Sequence, residues 1–266
     1  MDGAPAIDLE IITRKARGRS RPTPLIFVHG ANVGAWCWDQ HFLPYFAAHG
    51  YNAHALSLRG HAGSGGSLGL AGLDDYVDDL AQAVAGLAGA PVVIGHSMGG
   101  CVVQRYIESH SAAAAVLMAS VPPQGVWQAT MSLALRDPTL FSAINLLESG
   151  CPDAEAFRTL ARALFSEDLP REQANQFMRR MQAESKRAIF DMLWIHLRSR
   201  SDLSMPALVL GAQNDALFPP EMIVTAARAY AVEAEILPAM GHAMMWDTRW
   251  RAAAERILAW LGGLKL

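Results

Sequence analysis

Pro91-Val92-Val93-Ile94-Gly95-His96-Ser97-Met98-Gly99-Gly100 is the stretch whose reading decides the fold. Val92, Val93 and Ile94 are an apolar run suited to a buried strand, and Gly95-His96-Ser97-Met98-Gly99 fits the nucleophile-elbow pattern Gly-x-Ser-x-Gly. The chain there must turn from strand to helix within a few residues, where a Cβ at Gly95 or Gly99 would collide with backbone. Such a turn lifts the Ser97 hydroxyl above the sheet. It leaves the Met98 N–H at the start of a helix, where an unpaired donor and the helix dipole favour a developing oxyanion. Five residues can match by chance in a glycine-rich chain, so the pattern needs its context. Cys101 to Ser109 supplies the following helix, with Val102, Val103, Tyr106 and Ile107 apolar.

Outward from the elbow, strands and helices alternate. An edge strand is expected over Ala6 to Thr13, a central strand over Pro24 to Val28, and further strands over Asn52 to Leu58, Ala114 to Ala119, Ala207 to Leu210 and Ala234 to Leu237. Helical patterns fill Phe42 to Phe46, Leu73 to Leu87, Glu221 to Tyr230 and the C-terminal stretch through Trp250 and Trp260. Between Pro122 and Ser204 the strand signal stops, and helices are expected over Thr139 to Leu147, Ala154 to Phe165, Arg171 to Gln182 and Lys186 to Leu197. The chain therefore reads as an α/β core over residues 1–121 and 205–266 with a helical cap insertion over 122–204. Alternation of this kind implies a mostly parallel sheet covered by helices.

Composition narrows the function classes. With 52% hydrophobic residues the chain is apolar, yet no run approaches the ~18 residues of a membrane helix, so no stable membrane insertion is expected. A net charge of -3 offers no basic field for nucleic acid, and Arg14 to Arg21 reads as a solvated loop. Cys37, Cys101 and Cys151 are too few and too far apart for a disulfide framework or a zinc site. No signal peptide is visible, so a cytoplasmic protein is expected. The turn Arg59 to Gly66 lacks a Gly-Lys-[Ser/Thr] ending, and Leu68 stands where a dinucleotide fingerprint needs a small residue. The acidic run Asp74, Asp75, Asp78 and Asp79 reads as a solvated helix face, and neither a metal nor a cofactor is expected.

Ser97 needs a base and a group that orients the base. Of nine histidines, His96 is set aside because neighbouring strand residues face opposite ways, and His29 is read as bracing its own loop. His41, His49, His54, His110 and His196 sit in helices, a strand or their ends, and His61 remains a rival in its glycine-rich turn. His242 is preferred, since Gly241-His242 follows the last strand, and active sites of open α/β sheets gather at the carboxyl ends of strands. The same rule selects Asp215, in the loop leaving Ala207 to Leu210, although a turn or cap aspartate is common there. The order Ser97, Asp215, His242 is the one this elbow type carries.

Together these residues resemble the α/β-hydrolase superfamily. His29-Gly30-Ala31 is similar to its oxyanion loop, which by resemblance assigns the second donor to the Ala31 N–H beside Met98. His29 to Trp38 resembles the small methyl-esterase and hydroxynitrile-lyase branch. Gly95 to Gly100 and Arg59 to Ser64 look like the lysophospholipase and monoacylglycerol-lipase branch, from which Ser57 and Ala62 depart. The resemblance implies a mostly parallel sheet with helices on both faces and a helical cap inserted after the sixth strand. It also implies a Ser-His-Asp serine hydrolase; the aromatic and methionine side chains of the insertion favour a small hydrophobic carboxylic ester, and a monomer or homodimer is expected. Trp127, Phe141, Trp194 and Met244 are candidates for an apolar substrate pocket. Thioesterase, lactonase, carbon–carbon hydrolase and cofactor-free lyase chemistry fit the same residues, as does a ligand sensor that retains the pocket.

Overall fold

The computed structural model describes residues 7–195, 197, 205–264 and 266. Seven strands, β1 (Ile11–Arg14), β2 (Leu25–Val28), β3 (Ala53–Leu56), β4 (Val92–His96), β5 (Ala114–Met118), β6 (Ala207–Ala212) and β7 (Ala234–Leu237), form one sheet in the order β1-β3-β2-β4-β5-β6-β7. All neighbours pair parallel except β1, which runs antiparallel to β3 at the edge.

Alternation along the strands builds two cores. In register across the sheet, Phe27, Ile94, Val116 and Leu208 face one side, and Ile26, Val93 and Ala115 face the other. The first side is covered by α1 (Trp36–Asp39), α2 (Phe42–Ala48) and, at the chain's end, α11 (Trp250–Gly263). The second is covered by α3 (Leu73–Ala85), α4 (Met98–Tyr106) and α10 (Pro220–Arg228). Burial on both faces is why β2, β4 and β5 read as continuous apolar runs. Trp38, fully buried against Phe27 and Phe42, pins the segment after β2 onto the sheet.

Five helices, α5 (Trp127–Arg136), α6 (Pro138–Glu148), α7 (Ala154–Leu164), α8 (Arg171–Met178) and α9 (Lys186–Trp194), lie between β5 and β6. They follow the fifth strand, not the sixth, because among the described residues β1 is the sole strand ahead of the parallel series. α5 has no counterpart in the sequence reading, since Thr130 and Ser132 are weak helix formers and its apolar stripe faces solvent. α8 ends four residues before Gln182, where tertiary contacts draw the chain away. Ala6, His196 and residues 198–204, which include the end of the expected insertion, lie outside the described residues.

The acidic face of α3 is not uniformly solvated. Asp79 is buried and accepts from the Arg59 backbone N–H at 2.8 Å and from its Nε at 2.9 Å, while Asp75 takes Arg59 Nη1 at 2.7 Å. A paired guanidinium offsets the cost of burying that carboxylate.

Candidate active site

Strand order reverses between β2 and β4: the chain leaves β2 for β3 on one side, then crosses back to β4 on the other. A crevice forms at the carboxyl ends of such a pair. The loop after β2 is His29-Gly30-Ala31 and the turn after β4 is the elbow, so the topology itself brings these two motifs together.

Ser97 holds φ 53°, ψ -118°, a left-handed conformation that costs a non-glycine residue energy and is sustained by its surroundings. Its N–H donates to Met118 O at 3.0 Å, and its carbonyl accepts from Gly100 and Val121. A Cβ on Gly95 would collide with the Gly99 backbone, and one on Gly99 with the carbonyls of Val28 and His29. Both glycines are therefore required by the close approach of elbow and loop. A Cβ on Gly30 would lie 3.0 Å from Ser97 Cβ, so the loop after β2 stands directly beside the serine.

Asp215 and His242 meet, with 2.7 Å between Asp215 Oδ2 and His242 Nδ1, both side chains buried. A carboxylate can only accept, so Nδ1 carries the proton and Nε2 is left with its lone pair. Asp215 is also a turn aspartate: Oδ1 accepts from Leu217 and Phe218 N–H groups, each at 2.8 Å. Those bonds fix the carboxylate plane.

The His96 ring lies against that of His242, centroids 4.7 Å apart. Strand alternation does not separate it from the site, because Ser97 belongs to the elbow and not to the pleat. His96 Nε2 donates to the His242 carbonyl at 2.9 Å, and burial holds the ring well below its ordinary pKa. It thus secures the main chain of His242. The Ser97 hydroxyl makes no hydrogen bond to His242 in this arrangement.

The loop carrying His242 is held by two further groups that sequence reasoning missed. Buried Asp247 accepts from Gly241 N–H at 3.1 Å and from Ser166 N–H at 3.0 Å, and Ala243 N–H donates to Leu164 O at 2.8 Å. Asp247-Thr248-Arg249 precedes α11 as a cap-like aspartate would, and that signal could have found it.

His29 braces its own loop, as expected. Its Nε2 accepts from Leu58 N–H at 3.0 Å and its Nδ1 donates to Gly30 O at 2.7 Å. Burial, with His61 beside it, lowers its pKa to about 3, so it is a neutral strut. His61 is engaged elsewhere, 2.9 Å from Glu184 Oε2. Ala31 ends this loop and Met98 opens α4, so both backbone N–H groups belong to the segments that flank Ser97.

The expected pocket residues separate. Met244 is buried two residues after His242, and Phe141 packs against the same core. Trp127 and Trp194 instead stack on each other, centroids 4.7 Å apart, and remain 43% and 51% exposed. An aromatic group packs beside these residues: Trp36, Phe177 and Trp246 meet edge to face, Phe165 adds to Phe177, and Phe218, which sequence reasoning missed, stands 5.5 Å from the His242 ring. Among the described residues no group of three or more His, Cys, Asp or Glu side chains is placed to hold a metal ion. None of the described helices is long and apolar enough to cross a membrane.

A model of the alpha/beta hydrolase family matches residues 25–256. The chain is 37% identical over 90 residues to a pyrethroid hydrolase of Sphingobium wenxiniae, covering 33% of this chain and 31% of that protein. It is 40% identical over 105 residues to a non-heme chloroperoxidase of Streptomyces lividans, covering 38% and 37%. These matches span about a third of each relative's length. In three dimensions the chain is similar to a thermophilic esterase from Thermogutta terrifontis, with a TM-score of 0.76 at 21% identity over 97% of this chain and 94% of that one.

Proposed function

Because the chain belongs to the alpha/beta-hydrolase family, we propose that it hydrolyses small hydrophobic carboxylic esters through an acyl enzyme on Ser97. The observation that carries the reading is the Asp215–His242 hydrogen bond of 2.7 Å beside a serine held at φ 53°. Ser97 Oγ attacks the ester carbonyl as His242 Nε2 takes its proton. The same imidazole returns that proton to the departing alcohol. Water, deprotonated by His242, then attacks the acyl carbonyl and releases the acid and free Ser97. Asp215 holds the imidazole in the tautomer that can accept and stabilises the imidazolium. The Ser97–His242 bond forms as substrate binds, since catalytic contacts often tighten only in the substrate complex. The Ala31 and Met98 N–H groups receive the oxyanion.

In this reading the described residues of the insertion, 122–195 and 197, form a cap over the carboxyl ends of the strands, supported by contacts with the loops after β2, β3 and β7. Trp36, Phe177, Trp246 and Met244 offer apolar surface for the acyl or alcohol group. The chloroperoxidase relative favours a second reading, in which hydrogen peroxide attacks the acyl enzyme in place of water and leaves as a peracid.

Hydrolysis of a nitrophenyl ester series by wild type and Ser97→Ala tests the proposal. Turnover of uncharged acyl groups, abolished in the variant, is expected. A Ser97→Ala protein with wild-type rates would overturn it, and a preference for charged acyl groups would overturn the substrate class.

A further inference from the structure

Between α8 and α9 the chain passes over the loops leaving β2 and β3, and it carries a carboxylate into the interior there. The side chains of Glu184 and His61 are both fully buried, with 2.9 Å between Glu184 Oε2 and His61 Nε2. Glu184 Oε1 accepts from Tyr76 OH at 2.7 Å and from Ser185 N–H at 2.7 Å. A second carboxylate, Glu148, accepts from the Glu184 N–H at 2.9 Å.

All of this converges on Asn32, the residue after Ala31. Its N–H donates to Glu184 Oε2 at 3.3 Å, and its Nδ2 donates to Glu148 Oε1 at 2.7 Å and to Gln182 O at 3.0 Å. Its carbonyl accepts from Gln182 N–H at 2.9 Å. Asn32 holds φ 69°, a left-handed conformation that these bonds maintain. Burying a carboxylate and an imidazole is costly unless each is paired, and here Glu184, His61 and the half-buried Glu148 all find partners, with both carboxylates accepting from one loop residue.

We infer that Glu184 and Glu148 are positioning residues, which hold the oxyanion loop from the helical side by gripping Asn32 and so fix where the Ala31 N–H points. This rests on the ester-hydrolase reading. The peptide between Ala31 and Asn32 is anchored to Glu184, while Gly30 is wedged against Ser97 on the other side, so the Ala31 donor is held at both ends. The groups facing the cluster are His61, with His29 4.9 Å from it, Tyr76, Glu148, and Arg59, whose carbonyl lies 3.1 Å from His61 Nδ1. Burial alone would lower His61 and raise Glu184. The mutual hydrogen bond and charge outweigh it, leaving His61 raised and Glu184 lowered, the sense expected of a buried ion pair.

The test compares full-length wild type with Glu184→Gln and Asn32→Gly, reading kcat and KM on nitrophenyl butyrate, thermal unfolding, and hydrogen exchange at the residue 32 amide. A displaced donor is expected to lower kcat about 10- to 100-fold with KM within about twofold, since the oxyanion contact is made in the transition state. The residue 32 amide should exchange faster in Glu184→Gln. A folded Glu184→Gln protein with unchanged kcat, or with its whole loss in KM, overturns the assignment. Should Glu184→Gln not fold, Asn32→Gly decides: glycine tolerates the positive φ but loses both side-chain bonds, so the same selective fall in kcat is expected and an unchanged kcat overturns the inference. If wild type turns over no ester, the ester-hydrolase reading fails on its own. Amide exchange then decides the clamp, with equal protection in wild type and variants overturning it.

Discussion

Asp215→Asn separates the orienting role of the aspartate from its structural one. Asp215 Oδ1 accepts two backbone N–H groups at 2.8 Å, and Oδ2 faces His242 Nδ1 at 2.7 Å. An asparagine keeps its carbonyl oxygen on the two N–H groups, because the reverse orientation would set a donor against both, each unsatisfied group costing about 1–3 kcal/mol. The amide nitrogen then faces His242 and can only donate, so Nδ1 becomes the acceptor and the proton moves to Nε2. In that tautomer the imidazole cannot accept the Ser97 proton. The comparable change in a serine protease lowers kcat about 10⁴-fold, or roughly 5 kcal/mol of barrier. Folding should lose much less, about 1–3 kcal/mol, since shape and both backbone bonds survive. Initial rates on nitrophenyl butyrate with a parallel thermal melt read both quantities. A folded Asp215→Asn enzyme retaining a tenth of wild-type kcat would refute the reasoning.

Gly30→Ala places a methyl group 3.0 Å from both Ser97 Cβ and His96 Nδ1; displacement of the loop should lower kcat by about 10²-fold, measured on the same ester, and an unaltered rate would contradict the packing described. The His61–Glu184 pair gives stability a pH signature. The raised His61 pKa contributes stability that is full below its unfolded value of 6.5 and fades as pH rises through the folded value. The lowered Glu184 pKa contributes above its unfolded value of 4.5 and fades as pH falls through the folded one. The melting-temperature deficit of His61→Gln should therefore be larger at about pH 5.5 than at about pH 8.5, and a deficit that grows with pH would be inconsistent with the pair. Burial raises the Cys37 thiol far above its ordinary range and the Cys101 thiol to about 12, while Cys151 is exposed; a thiol reagent on native protein should therefore modify Cys151 alone, and rapid reaction at Cys37 or Cys101 would contradict their burial.

Local chemistry made the elbow legible, because the close approach of Gly95 to Gly99 and the turn at Ser97 arise within five residues, although Gly99 also answers to the carbonyls of Val28 and His29. The meeting of Asp215 and His242 was legible through a rule of topology, as both leave strands at the carboxyl edge. His29 could be read as a strut from its place before a glycine. The cluster around Glu184 could not, since His61 and Glu184 lie 123 residues apart along the chain and neither carries a local signal of burial. The same holds for Asp79, whose acidic neighbours read as a wet face although Arg59, 20 residues away along the chain, pairs with it. α8 stops at Met178 because Gln182 is drawn to Asn32, Gly60 and Ala62, contacts that helical periodicity does not register. The surroundings of Trp127 and Trp194 were not legible either: their aromatic character carries no sign that they stack on each other and stay half exposed on α5 and α9.

The central claim is that Ser97 is acylated during turnover. Rapid quench of the wild-type enzyme with nitrophenyl butyrate, followed by peptide mass spectrometry, measures it directly. The account predicts a butyryl adduct on Ser97 that forms and decays fast enough to carry steady-state turnover. Turnover without any adduct, or with acylation at another residue, would contradict it.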